Sequence, residues 1–269
     1  MKERFSMSIN VPAKISERIV SGAKKFKPIL EKAKSKDINE SDTVTIIADM
    51  LCDILGYDKY TEITSEYAIK KTFCDLAIKI DGTIRLLIEV KAAGLDLKEQ
   101  HIRQTVDYGS NSGVDWVILT NGTTWKVYKI IYSKPIDTEL VYEIDMSQLN
   151  FKRQSEVEMI YYLTKEAMAK NSKATLDDYL AQKQILNKFM VDQILLTDSV
   201  LDVVRKTIKK MSPDAKISNE EIKQIIADEI IKREVLDDEK ASDCFKKVTK
   251  ANKPITKLMP KLEENNSLT

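Results

Sequence analysis

The stretch from residue 73 to residue 91 constrains the fold more than any other part of this 269-residue chain. It contains two apolar runs on either side of Asp81-Gly82, a dipeptide typical of tight turns, and therefore predicts a β-hairpin. A three-residue turn, Asp81-Gly82-Thr83, is favoured over a two-residue turn, because only its register keeps one face of the hairpin wholly apolar. The facing pairs in that register are Cys74–Val90, Leu76–Ile88, Ile78–Leu86 and Ile80–Ile84.

The opposite face of the predicted hairpin carries charge. In the same register Asp75 lies directly opposite Glu89, and Lys91 follows Glu89 on the same side. Facing Cβ atoms are roughly 5 Å apart, so the two carboxylates repel each other unless a positive charge lies between them. We expect a divalent cation with oxygen ligands to fill this role, with the Lys91 ammonium beside it.

Further motifs surround the hairpin in a definite order. They are a helix that starts near Glu40, Leu55-Gly56-Tyr57-Asp58, the hairpin itself, Gln104-Thr105-Val106-Asp107-Tyr108, and Leu119-Thr120-Asn121-Gly122 followed by Trp125 and Tyr128. This order resembles the N-terminal nuclease domain of type I restriction enzyme R (motor) subunits, which is of the PD-(D/E)xK nuclease superfamily. The resemblance covers about residues 38–132, and Cys74 stands in place of the proline in the superfamily's name.

The resemblance implies a site for Mg²⁺ (or Mn²⁺) and hydrolysis of DNA phosphodiester bonds. In this reading Asp75 and Glu89 hold one or two metal ions, and the main-chain carbonyl of Val90 shares the coordination. Glu40 completes the shell, and Lys91 stabilises the attacking hydroxide or the developing negative charge.

Other polar residues have weaker assignments. Glu66, on the predicted first strand, is an alternative to Glu40 as the third acidic ligand. Gln104 and Tyr108 lie one turn apart on a helix, and the resemblance implies that they position the substrate. His101, the single histidine, is expected to be a bystander rather than a general base.

The expected fold class is α/β: a restriction-endonuclease-like central mixed sheet flanked by helices, followed by an all-α C-terminal lobe. We divide the chain into an N-terminal helical extension (1–37), the nuclease-like α/β domain (38–148) and the helical lobe (149–269). In the extension, Pro28 is expected to kink or split a helix over 13–36.

Composition narrows the class of protein. The formal net charge is +1, so any affinity for nucleic acid must come from a local basic surface. Three cysteines without CxxC spacing argue for a reducing cytoplasm and against disulfides or a zinc knuckle. No apolar run is long enough to span a membrane, and no phosphate-binding loop of a motor is present.

Three functional hypotheses remain open. The first is a metal-dependent endonuclease in restriction, defence or a mobile element, acting most readily on double-stranded DNA; the sequence itself leaves RNA and single strands open. The second is a non-catalytic nucleic-acid-binding or protein-interaction module with a nuclease fold. The third is a nuclease that needs a separate motor or methyltransferase partner. A homodimer formed through the helical lobe is a further expectation.

Overall fold

The structure is a computed structural model that describes residues 9–69, 72–169, 175–236 and 239–252. Its contacts divide the chain into two compact units, Met1–Gln182 and Lys183–Thr269. The first unit extends past residue 148 and includes the N-terminal helix; the domain division given by the sequence remains a prediction.

A six-stranded mixed sheet forms the centre of the first unit. The strands lie in chain order, and only the β3–β4 pair is parallel. The predicted fold class, a mixed sheet flanked by helices with a helical C-terminal region, is confirmed. The strands are β1 (Ile63–Ile69), β2 (Thr72–Ile80), β3 (Thr83–Val90), β4 (Trp116–Thr120), β5 (Thr124–Ile131) and β6 (Asp137–Asp145).

The β2–β3 hairpin has the predicted register at its open end and a different turn. Leu76 pairs with Ile88 and Ile78 with Leu86 as expected, but the turn has two residues, because Ile80 pairs with Thr83. Asp81 and Gly82 have φ values of 51° and 73°, as in the turns whose twist matches that of antiparallel strands.

A β-bulge reconciles this short turn with the expected register. Lys79 pairs with Ile84 and Ile78 with Leu86, so Arg85 is the extra residue. The expected Ile80–Ile84 pair is therefore wrong. Ile84 lies on the other face of the sheet, where it packs with Leu87.

Four helices contribute residues to the larger core, on one face of the sheet. They are α1 (Ala13–Ser35), α2 (Glu40–Asp53), α4 (Gln154–Tyr161) and α6 (Leu176–Ile185), and a short α5 (Lys165–Met168) follows α4. The expected split at Pro28 does not occur: α1 is continuous, and Pro28 lies on its exposed side. Asn39 caps α2 by accepting a hydrogen bond from the main-chain N–H of Asp42 at 2.9 Å.

The opposite face of the sheet is covered by α3 (Arg103–Ser112), which follows a 3₁₀ turn at Glu99–His101. Its inward residues are Ile102, Thr105, Val106 and Gly109, the spacing of one helical face. Cys74 packs in this smaller cluster and not with Leu76 and Val90 as predicted. Cys74 lies beyond the last pair of the β2–β3 ladder, Leu76–Ile88.

The second unit is helical. Its elements are α7 (Lys188–Leu195), α8 (Asp198–Met211), α9 (Asn219–Ile225) with a π-helical continuation to Ile230, α10 (Arg233–Leu236) and α11 (Glu239–Ala251). A capping box between Ser218 and Glu221 starts α9. Within the described ranges, every helix is too short or too polar to cross a membrane.

Candidate active site

The predicted site lies where β2 and β3 separate, at the carboxyl end of β3; its hairpin residues are Asp75, Glu89 and Lys91. The ladder between these strands ends at the Leu76–Ile88 pair. Beyond it, the Asp75 carboxylate accepts a hydrogen bond from the main-chain N–H of Val90 at 2.7 Å. A side chain thus takes the place of the missing strand partner and fixes the Asp75 carboxylate against β3.

Lys91 connects two of the predicted acidic residues. Its ammonium nitrogen lies 2.8 Å from Glu89 Oε1 and 3.2 Å from Glu40 Oε2. The side chains of Lys91 and Glu89 are only 16% and 12% exposed, whereas that of Glu40 is 48% exposed. The main chain of Lys91 is also fixed, since its N–H donates to the Thr120 carbonyl at 2.8 Å. The structure therefore brings Glu40, Glu89 and Lys91 together, and their roles in metal binding and catalysis remain predictions.

Thr105 is a member of this cluster that the sequence analysis missed. Its hydroxyl donates to Glu89 Oε2 at 2.7 Å, and the residue is fully buried. The sequence analysis followed the stripe of Gln104 and Tyr108. The stripe that faces the sheet begins at Ile102, and a hydroxyl on that otherwise apolar stripe was the available signal.

Gln104 and Tyr108 contact each other. The Gln104 side-chain amide donates to the Tyr108 hydroxyl, Gln104 is exposed, and Tyr108 is buried in the cluster beneath α3. Their hydrogen bonds in the described residues do not reach the carboxylates. His101 Nδ1 accepts a hydrogen bond from the main-chain N–H of Lys98 at 3.2 Å, a local contact. The Glu66 side chain lies outside the described part of the chain.

The electrostatics of the site reflect crowded carboxylates. Burial, with the negative charges of Glu89 and Glu40, raises the pKa of Asp75 to about 6, although the hydrogen bond from Val90 and the charge of Lys91 act in the opposite direction. Burial disfavours the Lys91 ammonium, but hydrogen bonds and charges from Glu89 and Glu40 outweigh it, and the pKa of Lys91 is raised.

The donors at this site are of the kind that Mg²⁺ prefers. The carboxylates of Asp75 and Glu89 and the carbonyl of Val90 all offer oxygen. In the ranges that the structure describes, however, there is no group of three or more His, Cys, Asp or Glu side chains arranged to hold a metal. The third predicted ligand, Glu40, is engaged by Lys91. The negative charges of Asp75 and Glu89 suit a cation. The Glu40 carboxylate lies on the other side of the Lys91 ammonium, at 3.2 Å from its nitrogen.

Comparison with known proteins agrees with the resemblance seen in the sequence. A family model described as Type I restriction enzyme R protein N terminus matches residues 45–144. The matched region begins after Glu40, runs through β1 to β5 into β6, and contains Asp75, Glu89 and Lys91. No curated protein and no solved structure matches the chain. Residues 45–144 are therefore similar to the N-terminal region of type I restriction enzyme R proteins.

Proposed function

We propose that the first unit is a metal-dependent, PD-(D/E)xK-type endonuclease that cleaves double-stranded DNA in the cytoplasm, in restriction or another defence function. The family match supports a nuclease-like restriction role. The main structural support for this chemistry is that Lys91 forms ion pairs with both Glu40 and Glu89. Asp75 lies beside them and is held by a hydrogen bond from the Val90 N–H.

In this proposal Asp75, Glu89 and the carbonyl of Val90 hold Mg²⁺ or Mn²⁺, and Glu40 completes the oxygen shell. When bound, the ion lowers the pKa of a coordinated water and offsets charge on the scissile phosphate. The raised pKa of Asp75 supports the assignment, because it arises from burial of the carboxylate and, after that, from the nearby charges of Glu89 and Glu40.

Lys91 has two roles in the proposed reaction. Its ammonium offsets the charges of Glu40 and Glu89 in the resting protein. With a phosphodiester present, the same ammonium is close enough to the carboxylates to stabilise the attacking hydroxide or the negative charge that develops on the phosphate. A raised pKa keeps Lys91 in the charged form that this role needs.

Gln104 and Tyr108 are proposed to orient DNA at the rim of the site. Gln104 is exposed and its amide is anchored on the Tyr108 hydroxyl, so that the remaining amide donor and the carbonyl oxygen are free to reach a phosphate or a base. These residues are assigned to substrate binding and not to metal binding, because their hydrogen bonds do not involve Asp75 or Glu89.

The test measures metal binding and DNA cleavage on the same samples. Wild type, Asp75→Ala and Glu89→Ala are titrated with Mn²⁺ by calorimetry and assayed on linear and supercoiled DNA with Mg²⁺ or Mn²⁺. Asp107→Ala is the matched control, because Asp107 is an exposed carboxylate on α3 that makes no side-chain contact with the site residues. We expect wild type and Asp107→Ala to bind Mn²⁺ and nick DNA, and both other variants to lose both properties.

Other outcomes separate the alternatives. Metal binding without cleavage by any DNA substrate would favour a nuclease that needs a separate motor or methyltransferase partner. No metal binding by a folded wild-type protein would overturn the catalytic proposal and favour a nucleic-acid-binding or protein-interaction module. Sedimentation of the same samples would test the expected homodimer.

A further inference from the structure

The two oxygens of Glu89 have different partners. Oε1 accepts from the Lys91 ammonium at 2.8 Å, and Oε2 accepts from the Thr105 hydroxyl at 2.7 Å. Lys91 is two residues further along the chain, directly after the end of β3, whereas Thr105 comes from α3, on the layer that covers this face of the sheet. The carboxylate is therefore held from two directions by two separate elements.

The Thr105 hydroxyl makes an unusual contact for a buried threonine in a helix. Such a hydroxyl ordinarily bonds to the main-chain carbonyl one turn earlier. Thr43 shows the ordinary case, because its hydroxyl donates to the Asn39 carbonyl at 2.8 Å. Thr105 is equally buried, yet its hydroxyl leaves the helix and bonds to a carboxylate on a strand.

The position of Thr105 is set by packing. Val106 and Tyr108 fill the cluster between α3 and the sheet together with Leu87, two residues before Glu89. Gly109, on the same inward stripe, lies close to the side chain of Ile130 and the Val114 carbonyl, which keeps α3 near the strands. Thr105 has no room to turn to solvent, because its exposed fraction is 0%.

We infer that Thr105 is a positioning residue for the proposed metal site: its hydroxyl fixes the orientation of the Glu89 carboxylate so that Oε1 faces Lys91 and the site. This inference rests on the proposed function and adds a residue to it. Thr105 itself binds neither the metal nor DNA. Groups that orient a metal ligand typically change metal affinity by about 10–100-fold when they are removed.

The test compares Thr105→Val, which removes the hydroxyl at nearly constant volume, with Thr105→Ser, which keeps it. The dissociation constant for Mn²⁺ is measured by calorimetry on the full chain, and folding is checked by circular dichroism and thermal unfolding. We expect Thr105→Val to weaken Mn²⁺ binding by about 10–100-fold and Thr105→Ser to retain most of the wild-type affinity.

Thr164→Val is the matched control. Thr164 is also fully buried, but its hydroxyl donates to the main-chain carbonyl of Tyr161 at 2.7 Å and caps α5. Its loss is expected to lower stability and to leave Mn²⁺ affinity unchanged. A stability defect alone therefore does not imitate the result expected for Thr105. If Thr105→Val does not fold, Thr105→Ala removes the same hydroxyl without a second γ-methyl group.

The outcomes distinguish this inference from the proposal on which it rests. Unchanged Mn²⁺ affinity in folded Thr105→Val or Thr105→Ala, with binding lost in Glu89→Ala, would overturn the role of Thr105 and leave the metal site standing. An equal loss in Thr105→Ser and Thr105→Val would also overturn it, because the hydroxyl would then not be the cause. Absence of Mn²⁺ binding in wild type would overturn both.

Discussion

The Asp75 carboxylate accepts a hydrogen bond from the main-chain N–H of Val90 at 2.7 Å, just beyond the last pair of the β2–β3 ladder. This contact satisfies a main-chain donor that the separating strands leave unpaired. It also holds the carboxylate beside the strand that carries Glu89, where burial and the charge of Glu89 raise the pKa of Asp75 although the hydrogen bond from Val90 lowers it.

Replacing Asp75 by Asn is expected to stabilise the metal-free protein at neutral pH. The folded-state pKa of Asp75 is raised to about 6, above the unfolded value of about 3.9. Stability associated with the neutral carboxyl is thus complete below pH ~4 and is lost as the pH rises through ~6. At pH 7.5 we expect Asp75→Asn to gain about 1–2 kcal/mol, a value reduced for partial solvent access.

The measurement is urea unfolding with EDTA at pH 4.5 and 7.5. Asn can still accept the hydrogen bond from Val90, so the variant tests the charge and not the contact. The gain should be small at pH 4.5 and larger at pH 7.5. Equal effects at pH 4.5 and pH 7.5, or destabilisation at pH 7.5, would contradict the raised pKa of Asp75.

Replacing Lys91 by Met is expected to destabilise the protein by about 2–3 kcal/mol at pH 7.5, because it leaves Glu89 largely buried without its ionic partner. Lys25→Met is the control, since Lys25 and Asp53 form an equally short pair with side chains that are 60% and 39% exposed. Its effect should be much smaller, because an ion pair between exposed side chains contributes little to stability. Similar losses for both variants in urea unfolding would show that burial does not distinguish the two ion pairs.

Gly109→Ala is expected to destabilise the fold by about 1–3 kcal/mol through overpacking. A Cβ at this position would lie 2.4 Å from Ile130 Cδ1 and 3.0 Å from the Val114 carbonyl oxygen. The second variant Ile130→Val removes the Cδ1 atom, so the double variant should recover part of the loss beyond what additivity predicts. Thermal unfolding of the four proteins measures this; strict additivity would show that Ile130 is not the obstacle.

Gln104→Ala is expected to separate DNA binding from metal binding. Under the proposed function it should raise KM for DNA while leaving the Mn²⁺ dissociation constant at the wild-type value, because Gln104 is exposed and bonds to Tyr108, not to the carboxylates. Tyr108→Phe removes the anchor of the amide and should change KM in the same direction. A loss of Mn²⁺ affinity in Gln104→Ala would place this residue in the metal site instead.

The sequence was sufficient to predict the sheet and the cluster of Glu40, Glu89 and Lys91. Alternation along short strands predicts the sheet, and charges on a strand face predict the pairing of Glu89 with Lys91. Glu40, on a helix, was predicted from the family resemblance. The pairing near Leu76 was predictable because a one-residue slip would expose the apolar face. The metal ion and the substrate remain predictions.

Other features depend on contacts between distant elements. Thr105 reaches Glu89 only because α3 lies across β3, and helical spacing alone does not show which stripe faces a carboxylate. The turn at Asp81-Gly82 was predicted one residue too long, because the hydrophobic pattern reports the register of the strands and not where an extra residue is absorbed. Pro28 stayed within a helix because its missing hydrogen bond lies on the exposed side.

The bulge at Arg85 also means that the hairpin contains one residue that its pairing does not need. Thr83, Ile84, Leu86 and Leu87 would still alternate between the two faces if Arg85 were deleted, and Leu76 would still meet Ile88. Deletion of a residue between Leu86 and Glu89 would instead turn Glu89 toward the larger core. The bulge lies between the turn and the Leu76–Ile88 pair. A related chain could therefore lack one residue at the bulge without a change in the position of Asp75 relative to Glu89.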